Sequence, residues 1–171
     1  NSRPGAPVTL VLDFDGHSED DPGWVSFRDD GLTGNVPTPA FDIDGDYTTF
    51  SAEEMRQIEE IWYRVSEDYA PFNINVTTVE PASVNDFEAI LVSIGGDGAW
   101  APPAGGWGVL GGFNNSGSNT AYVFSELFVR EFKKGTIDRA IETIRNRIDE
   151  FGVSEPSITA MLTRFLRTMR G

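Results

Sequence analysis

The first part of the chain alternates apolar runs with turn-forming residues, a pattern typical of short strands separated by loops. A continuous apolar run at 8–14 (VTLVLDF) predicts a buried strand. Alternating apolar and polar residues at 72–79, several of them β-branched, predict a strand with one solvent-exposed face. Residues 15–50 are rich in Asp, Gly and Pro and are expected to form loops. Further strands are predicted at 89–94, at 107–113, where glycines interrupt the run, and at 120–124.

The most regular helical pattern begins after Ser51. Ser51 and Glu54 form a capping box, and Pro71 ends the helix. Six apolar residues recur between them at helical spacing: Met55, Ile58, Ile61, Trp62, Val65 and Tyr69. Two more amphipathic helices are predicted at 136–151 and from Pro156 onward. The order of elements predicts an α/β fold, with α+β as the alternative, in which a mixed sheet packs against a long helix.

The charge is distributed unevenly along the chain. Residues 1–128 hold 4 Lys/Arg and 21 Asp/Glu, a net charge of −17, whereas residues 129–171 hold 9 Lys/Arg and 6 Asp/Glu, a net charge of +3. We therefore expect a sheet-and-helix domain at 1–128 and a helical segment at 129–171 that packs on it. The overall charge of −14 argues against a nucleic-acid partner. No apolar run approaches the roughly 20 residues of a membrane helix. The sequence leaves open a peptide or protein partner and the oligomeric state.

Four segments within residues 8–127 resemble the N-terminal half of a bacterial secreted zincin-type metalloprotease domain. They are LDFDGH (12–17), PAFDIDGDYTTFSAEEM (39–55), IWYRVSEDYAPFNINVTT (61–78) and NTAYVFSEL (119–127). The resemblance implies a secreted protein whose sheet leads into a helix bearing H-E-x-x-H. Two imidazoles one turn apart would hold Zn²⁺ there, and the glutamate would activate the bound water.

The zinc motif itself is missing from this chain. His17 is the one histidine, and there is no cysteine. If Gly152 is aligned with the glycine that ends a zincin active helix, the ligand positions fall on Arg145, Asp149 and Glu155. Because an arginine cannot bind zinc and two carboxylates make a poor zinc site, we expect no Zn²⁺ and a catalytically inactive zincin-like domain.

A second resemblance begins where the first ends. Residues 135–158 (GTIDRAIETIRNRIDEFGVSEPSI) resemble a stretch of the SecD subunit of the bacterial protein-export machinery. In SecD this stretch is a helix and turn in a periplasmic domain, which implies a secreted or periplasmic location. The two resemblances meet near residue 129 and predict a chimeric chain, with a natural fusion, a misassembled reading frame and an engineered sequence all left open.

An acidic loop before the long helix is a candidate calcium site. Asp42, Asp44, Asp46 and Glu53 fall at positions 1, 3, 5 and 12 of an EF-hand-like loop, and carboxylate oxygens at that spacing suit Ca²⁺. Tyr47, however, stands at position 6, where the tight turn requires glycine. The alternative is an acidic capped loop in which Glu53 favours the helix N-terminus.

The end of the first predicted strand offers a second candidate. Asp13 and Asp15 resemble the first motif of haloacid-dehalogenase-type phosphatases, which use an aspartate nucleophile and Mg²⁺. His17 replaces the threonine of that motif, so a polar strand end is the alternative interpretation, and His17 is expected to be a solvated side chain. Trp100 and Trp107 could line a peptide groove or cover the sheet edge. A structural or interaction module with no site is the alternative for the whole chain.

Overall fold

A computed structural model describes residues 1–114 and 117–132 of this chain. The strands are β1 (Val8–Asp13), β2 (His17–Glu19), β3 (Val36–Thr38), β4 (Ile74–Thr77), β5 (Ala89–Ile94), β6 (Gly106–Gly108) and β7 (Thr120–Val123). The α-helices are α1 (Pro22–Phe27), α2 (Ala52–Asp68) and α3 (Ser125–Phe132), and a 3₁₀ turn spans Gly112–Asn114. The predicted helices at 136–151 and after Pro156, with their expected packing on the sheet, lie outside the described residues.

Five strands form one mixed sheet in the order β4-β1-β5-β7-β6. The first four run parallel, and β6 pairs antiparallel with β7 at the edge. The predicted α/β class with a mixed sheet is therefore confirmed. No helix within the described ranges combines the length and the apolar character needed to span a membrane.

Helix α2 covers one face of the sheet. Its capping box is confirmed: Ser51 is the N-cap, and the Ser51 and Glu54 side chains bond each other's backbone N–H groups. The helix packs against a buried cluster formed by Leu12, Phe14, Phe41, Ile58, Val76 and Ile94. Met55 was expected on this apolar face but is 53% exposed, because the helix turns that position toward solvent.

The opposite face carries a second, aromatic cluster. Its buried members are Trp24, Val36, Trp100, Ala101, Tyr122 and Phe124. Trp24 comes from α1 and Val36 from the antiparallel β2–β3 hairpin, so both elements cover this face. The sheet is covered on both sides, which explains the nearly continuous apolar run of β1.

The expectation of loops throughout residues 15–50 is wrong in part, since this region contains α1 and the β2–β3 hairpin. The two strands have three residues each and the helix has six. Elements this short do not complete enough turns or alternations to leave a hydrophobic period in the sequence. Their position is instead set by contacts with the sheet.

The N-terminal residues seal the outer edge of β4. The Ser2 N–H donates to the Val76 carbonyl at 2.9 Å, and the Val76 N–H donates to Ser2 Oγ at 2.8 Å. Arg3 donates from Nη1 to the Phe72 carbonyl at 2.6 Å and from Nη2 to the Ala70 carbonyl at 3.0 Å, just beyond α2. This edge of the sheet is thereby protected from pairing with another strand.

Replacing Glu54 with alanine should destabilise the fold strongly. The substitution leaves the partly buried N–H groups of Ile43 and Ser51 without their acceptor, at an expected cost of about 3 kcal/mol. Urea unfolding followed by tryptophan fluorescence measures the change. The matched control is Glu53→Ala in the same helical turn, whose exposed ion pair with Arg56 should matter little. Equal losses in the two variants would contradict the role assigned to Glu54.

Candidate functional site

Three carboxylates converge between the acidic loop and the start of α2. One oxygen each of Asp42, Asp44 and Glu54 lies within 4.8 Å of the others. Asp42 is 6% exposed and Glu54 is fully buried, whereas Asp44 faces solvent. Hard oxygen ligands of this kind suit Ca²⁺ or Mg²⁺ better than softer metals.

Backbone hydrogen bonds hold this acidic loop in shape. Asp42 Oδ1 accepts from the Gly45 N–H at 2.8 Å, and Glu54 Oε1 accepts from the Ile43 N–H at 2.8 Å. Gly45 has φ +99°, a conformation that glycine adopts without strain. Burial acts to raise the pKa of Glu54, but the hydrogen bonds donated by Ser51 and Ile43 outweigh it and leave that pKa lowered. Glu54 is therefore held as a carboxylate.

Two of the residues predicted for the calcium site point elsewhere. Asp46 accepts hydrogen bonds from the Thr48 N–H at 3.0 Å and from Thr49 Oγ1 at 3.0 Å. Glu53 bonds Arg56 Nη2 at 2.6 Å and Gln57 Nε2 at 2.9 Å, and the Arg56 guanidinium lowers the pKa of Glu53 to about 2. The structure thus brings together Asp42, Asp44 and Glu54.

The sequence did contain a signal for Glu54. A glutamate at the third position of a capping box turns back toward the N-cap and toward the loop that precedes it. The EF-hand spacing instead favours Glu53, one position earlier, which lies on the outer surface of the helix. Tyr47, at the position where an EF-hand needs glycine, donates its hydroxyl to Glu126 Oε1 at 2.7 Å and ties the loop to α3.

Asp13 and Asp15, the magnesium alternative, lie at the carboxyl end of β1. Asp13 is 5% exposed and its Oδ1 accepts the N–H of Asp15 at 3.1 Å, whereas Asp15 itself is exposed. Burial, and secondarily the neighbouring Asp15, raise the pKa of Asp13 to about 7. Within residues 1–114 and 117–132, no third metal-ligating side chain joins the pair in a cluster. Magnesium at these two aspartates stays a prediction, because one or two carboxylates with water are the usual protein ligands of Mg²⁺.

Asp13 also belongs to a set of polar side chains on the sheet and on the β2–β3 hairpin. Asp13 is in register with Ser93, and Ser93 is in register with Tyr122, so the three project from the same face. On the hairpin, His17 is in register with Thr38. Each of the five has a buried polar atom without a hydrogen-bond partner in the described part of the chain. We call Asp13, His17, Thr38, Ser93 and Tyr122 the buried polar layer.

His17 departs from the expected solvated side chain. Its side chain is 19% exposed, and Nε2 lies 3.6 Å from Glu19 Oε2, which also accepts a hydrogen bond from Thr120 Oγ1 at 2.7 Å. The Glu19 carboxylate raises the pKa of His17, an effect that burial opposes. Sequence reasoning missed this arrangement, because Glu19 and Thr120 are 101 positions apart.

Trp100 and Trp107, which the sequence suggested for a peptide groove, both pack within the protein. Trp100 is 5% exposed and contacts Trp24, Tyr122 and Phe124 through edge-to-face or similar ring pairs. Trp107 donates Nε1–H to the Pro102 carbonyl at 2.9 Å and packs on Phe27. Both rings cover the sheet and its edge.

Comparison with known proteins finds similarity in the C-terminal segment. Residues 137–163 match the family described as protein translocase subunit SecDF, P1 domain, N-terminal. The chain is 71% identical over 28 residues to the protein translocase subunit SecD of Magnetococcus marinus, covering 16% of this chain and 5% of that protein. It is 49% identical over 37 residues to SecD of Desulfurispirillum indicum, covering 22% of this chain and 7% of that protein. No solved structure matches.

These matches revise the two resemblances. The SecD-like segment is confirmed, and it lies outside the described residues. The classification of the chain as metallopeptidase-like and zincin is wrong: the family and the relatives found belong to a protein translocase, and no match supports a metalloprotease half. The four quoted segments had suggested that class through short strings, which share strand and helix patterning with many α/β sheets. The chain spans less than a tenth of the length of the relatives it matches.

Replacing Gly95 with alanine should disturb the close approach between the chain after β5 and the chain after β3. A Cβ at this position would stand 2.0 Å from the Pro39 carbonyl oxygen, a clash with backbone that no side-chain rotation relieves. We expect a loss of about 3 kcal/mol in the free energy of unfolding. The control is Gly31→Ala, where φ is +73° but no atom lies within 4 Å, so only about 1 kcal/mol of backbone strain is expected. Urea unfolding measures the free energy of unfolding of both variants. A smaller loss of stability for Gly95→Ala than for Gly31→Ala would contradict the close approach.

Proposed function

We propose that this chain is an interaction module of bacterial protein translocation that acts outside the cytoplasm. The observation that supports this most directly is the match of residues 137–163 to the SecDF P1 family. The P1 domain of SecD is periplasmic. The segment is 71% identical over 28 residues to SecD of Magnetococcus marinus, so it shares most of its side chains with that protein.

The charge distribution suggests which part engages the partner. The segment 129–171 carries +3 in a chain of net charge −14. Since like charges between two acidic proteins slow their encounter, the basic segment is the part of the chain best suited to approach an acidic protein surface. We therefore propose that the SecD-like segment makes the contact and that residues 1–128 form the body that presents it.

Binding of the full chain to purified SecDF of Magnetococcus marinus tests this proposal. We expect a dissociation constant in the micromolar range, about −8 kcal/mol, as for a transient contact. The matched control is the full chain with residues 137–163 scrambled, which keeps length, composition and net charge. Scrambling should weaken binding at least about tenfold, or roughly 1.4 kcal/mol. Equal binding of the two chains, or no binding by the native one, would overturn the proposal.

The acidic loop favours a second role, calcium binding. The observation behind it is the convergence of Asp42, Asp44 and Glu54 oxygens within 4.8 Å. Three carboxylates supply charge for a divalent cation, and backbone carbonyls and water would have to complete the six to eight oxygen ligands that Ca²⁺ takes. An unliganded acidic loop held by its own N–H groups is the competing interpretation.

Thermal melting with added calcium separates these interpretations. Binding to the native state alone stabilises it by about 2.7 kcal/mol when the ion is at a hundredfold excess over Kd. Asp44→Asn should abolish the shift, because Asp44 belongs to the converging set, whereas Asp46→Asn should leave most of it. NaCl at matched ionic strength serves as the control, because Mg²⁺ could bind the same carboxylates. No shift with calcium, or equal shifts in both variants, would remove the site.

A further inference from the structure

The two faces of β5 and β7 differ in how completely they are buried. On the face that carries the aromatic cluster, Leu91, Ser93 and Tyr122 are each at most 2% exposed. The other face is the one that α2 covers, because Val92 and Val123 pack against the cluster beneath that helix. On this face both strands alternate to partly buried side chains. The α2 face is therefore covered less completely over β5 and β7 than the aromatic face is.

The position of α2 explains this difference. The helix lies closest to β4, and Trp62 Nε1 donates to the Val76 carbonyl of that strand at 3.1 Å. In the strand order β7 lies three positions from β4, about 14 Å at the usual spacing of neighbouring strands. Since a helix with its side chains is only about 10 Å wide, α2 does not cover both strands. We call the partly buried side chains of β5 and β7 on this face the open strip: Ile90, Val92, Ala121 and Val123.

The open strip has the character and size of a helix-packing surface. All four of its side chains are apolar, and the register of Val92 with Ala121 makes the strip continuous across the two strands. Along the six residues of β5 it runs for about 20 Å. A helix of about 16 residues is roughly 24 Å long, so one such helix would cover the strip.

The chain leaves the described residues close to this surface. The Glu126 N–H, in the first turn of α3, donates to the Gly96 carbonyl just after β5 at 3.0 Å. Tyr47 donates its hydroxyl to Glu126 Oε1 at 2.7 Å, which places this turn beside the loop that leads into α2. Four residue steps separate Phe132, the last residue of α3, from Thr136, so the two lie within about 14 Å of each other. The segment that begins at Thr136 is thereby kept near the body.

The sequence of this segment matches the open strip in character and length. Four isoleucines of residues 136–151 recur at helical spacing: Ile137, Ile141, Ile144 and Ile148. In the same helical period Arg139, Glu142 and Asn146 fall opposite this isoleucine stripe. The charge is also complementary, since residues 129–171 carry +3 and residues 1–128 carry −17.

We propose that residues 136–151 dock their isoleucine stripe on the open strip and complete the cover of the α2 face. The proposal goes beyond the partner contact assigned to the SecD-like segment and does not depend on it. The apolar side of the segment would face the sheet, and the side with Arg139 and Asn146 would remain available to a partner. A segment fixed on the sheet loses less conformational freedom on binding than a free tail does.

A thiol introduced into the open strip tests the docking, because the full chain has no cysteine of its own. Ala121→Cys is a small change, and the rate at which its thiol reacts with DTNB follows its accessibility. Adding Ile144→Asp should raise that rate at least about tenfold, because a charge within the stripe opposes burial. The matched control is Asn146→Asp, which adds the same charge opposite the stripe and should leave the rate nearly unchanged.

Equal reaction rates in the Ile144→Asp and Asn146→Asp chains would overturn the proposal. The Ala121→Cys chain alone should react at a rate that does not depend on protein concentration. A rate that falls as the concentration rises would mean that a second copy covers the strip, and this result would overturn the proposal as well. Neither measurement contains SecDF, so its outcome is separate from that of the binding experiment.

A spin label tests the same docking with the isoleucine stripe intact. A nitroxide attached at Asn146→Cys lies opposite the stripe and broadens the methyl resonances of nearby side chains. Compared with the chain carrying the reduced label, Val92 and Val123 should lose more intensity than Val36, which lies on the aromatic face. Equal losses on the two faces, or no loss at all, would overturn the docking even if the Ile144→Asp chain fails to fold.

Discussion

The buried carboxylate of Glu54 joins the start of α2 to the acidic loop, and the rest of the structure depends on this connection. It accepts hydrogen bonds from Ser51 at the start of α2 and from Ile43 in the acidic loop. Because α2 packs on the sheet through Ile58 and its neighbours, the same carboxylate fixes the loop relative to the sheet. A buried charge is tolerated only where several donors compensate it, and the capping box supplies those donors.

The two faces of the sheet are packed with different kinds of side chain. On one face, α2 buries aliphatic side chains. On the other face, aromatic rings surround Tyr122, while Asp13 and Ser93 bring polar atoms to the carboxyl ends of neighbouring parallel strands. The carboxyl ends of parallel strands are where α/β folds place their functional side chains. In this chain the residue that follows β3 approaches that edge closely, since a Cβ at Gly95, directly after β5, would stand 2.0 Å from the Pro39 carbonyl oxygen.

The C-terminal segment differs from residues 1–128 in its sequence similarity to known proteins. Its similarity to SecD covers 16–22% of the chain. The α/β class of the preceding residues rests instead on their sheet and helix. The shift in charge from −17 to +3 falls at nearly the same position as the start of that similarity. An acidic body with a basic attached segment is a physically plausible way to present one binding sequence, and this arrangement is what the proposed interaction module rests on.

Local interactions explain what the sequence by itself determined. The capping box at Ser51 and Glu54, the amphipathic period of α2 and the apolar runs of β1 and β5 all depend on residues a few positions apart, so they predict elements correctly. The SecD-like segment was likewise visible as a string of residues. Only the tertiary structure decided that Glu54 and not Glu53 joins Asp42 and Asp44, because the choice depends on which side of a helical turn faces the loop. Strand order and register likewise decided that Asp13 is buried beside Ser93 and that Glu19 meets Thr120, since these contacts join residues tens of positions apart.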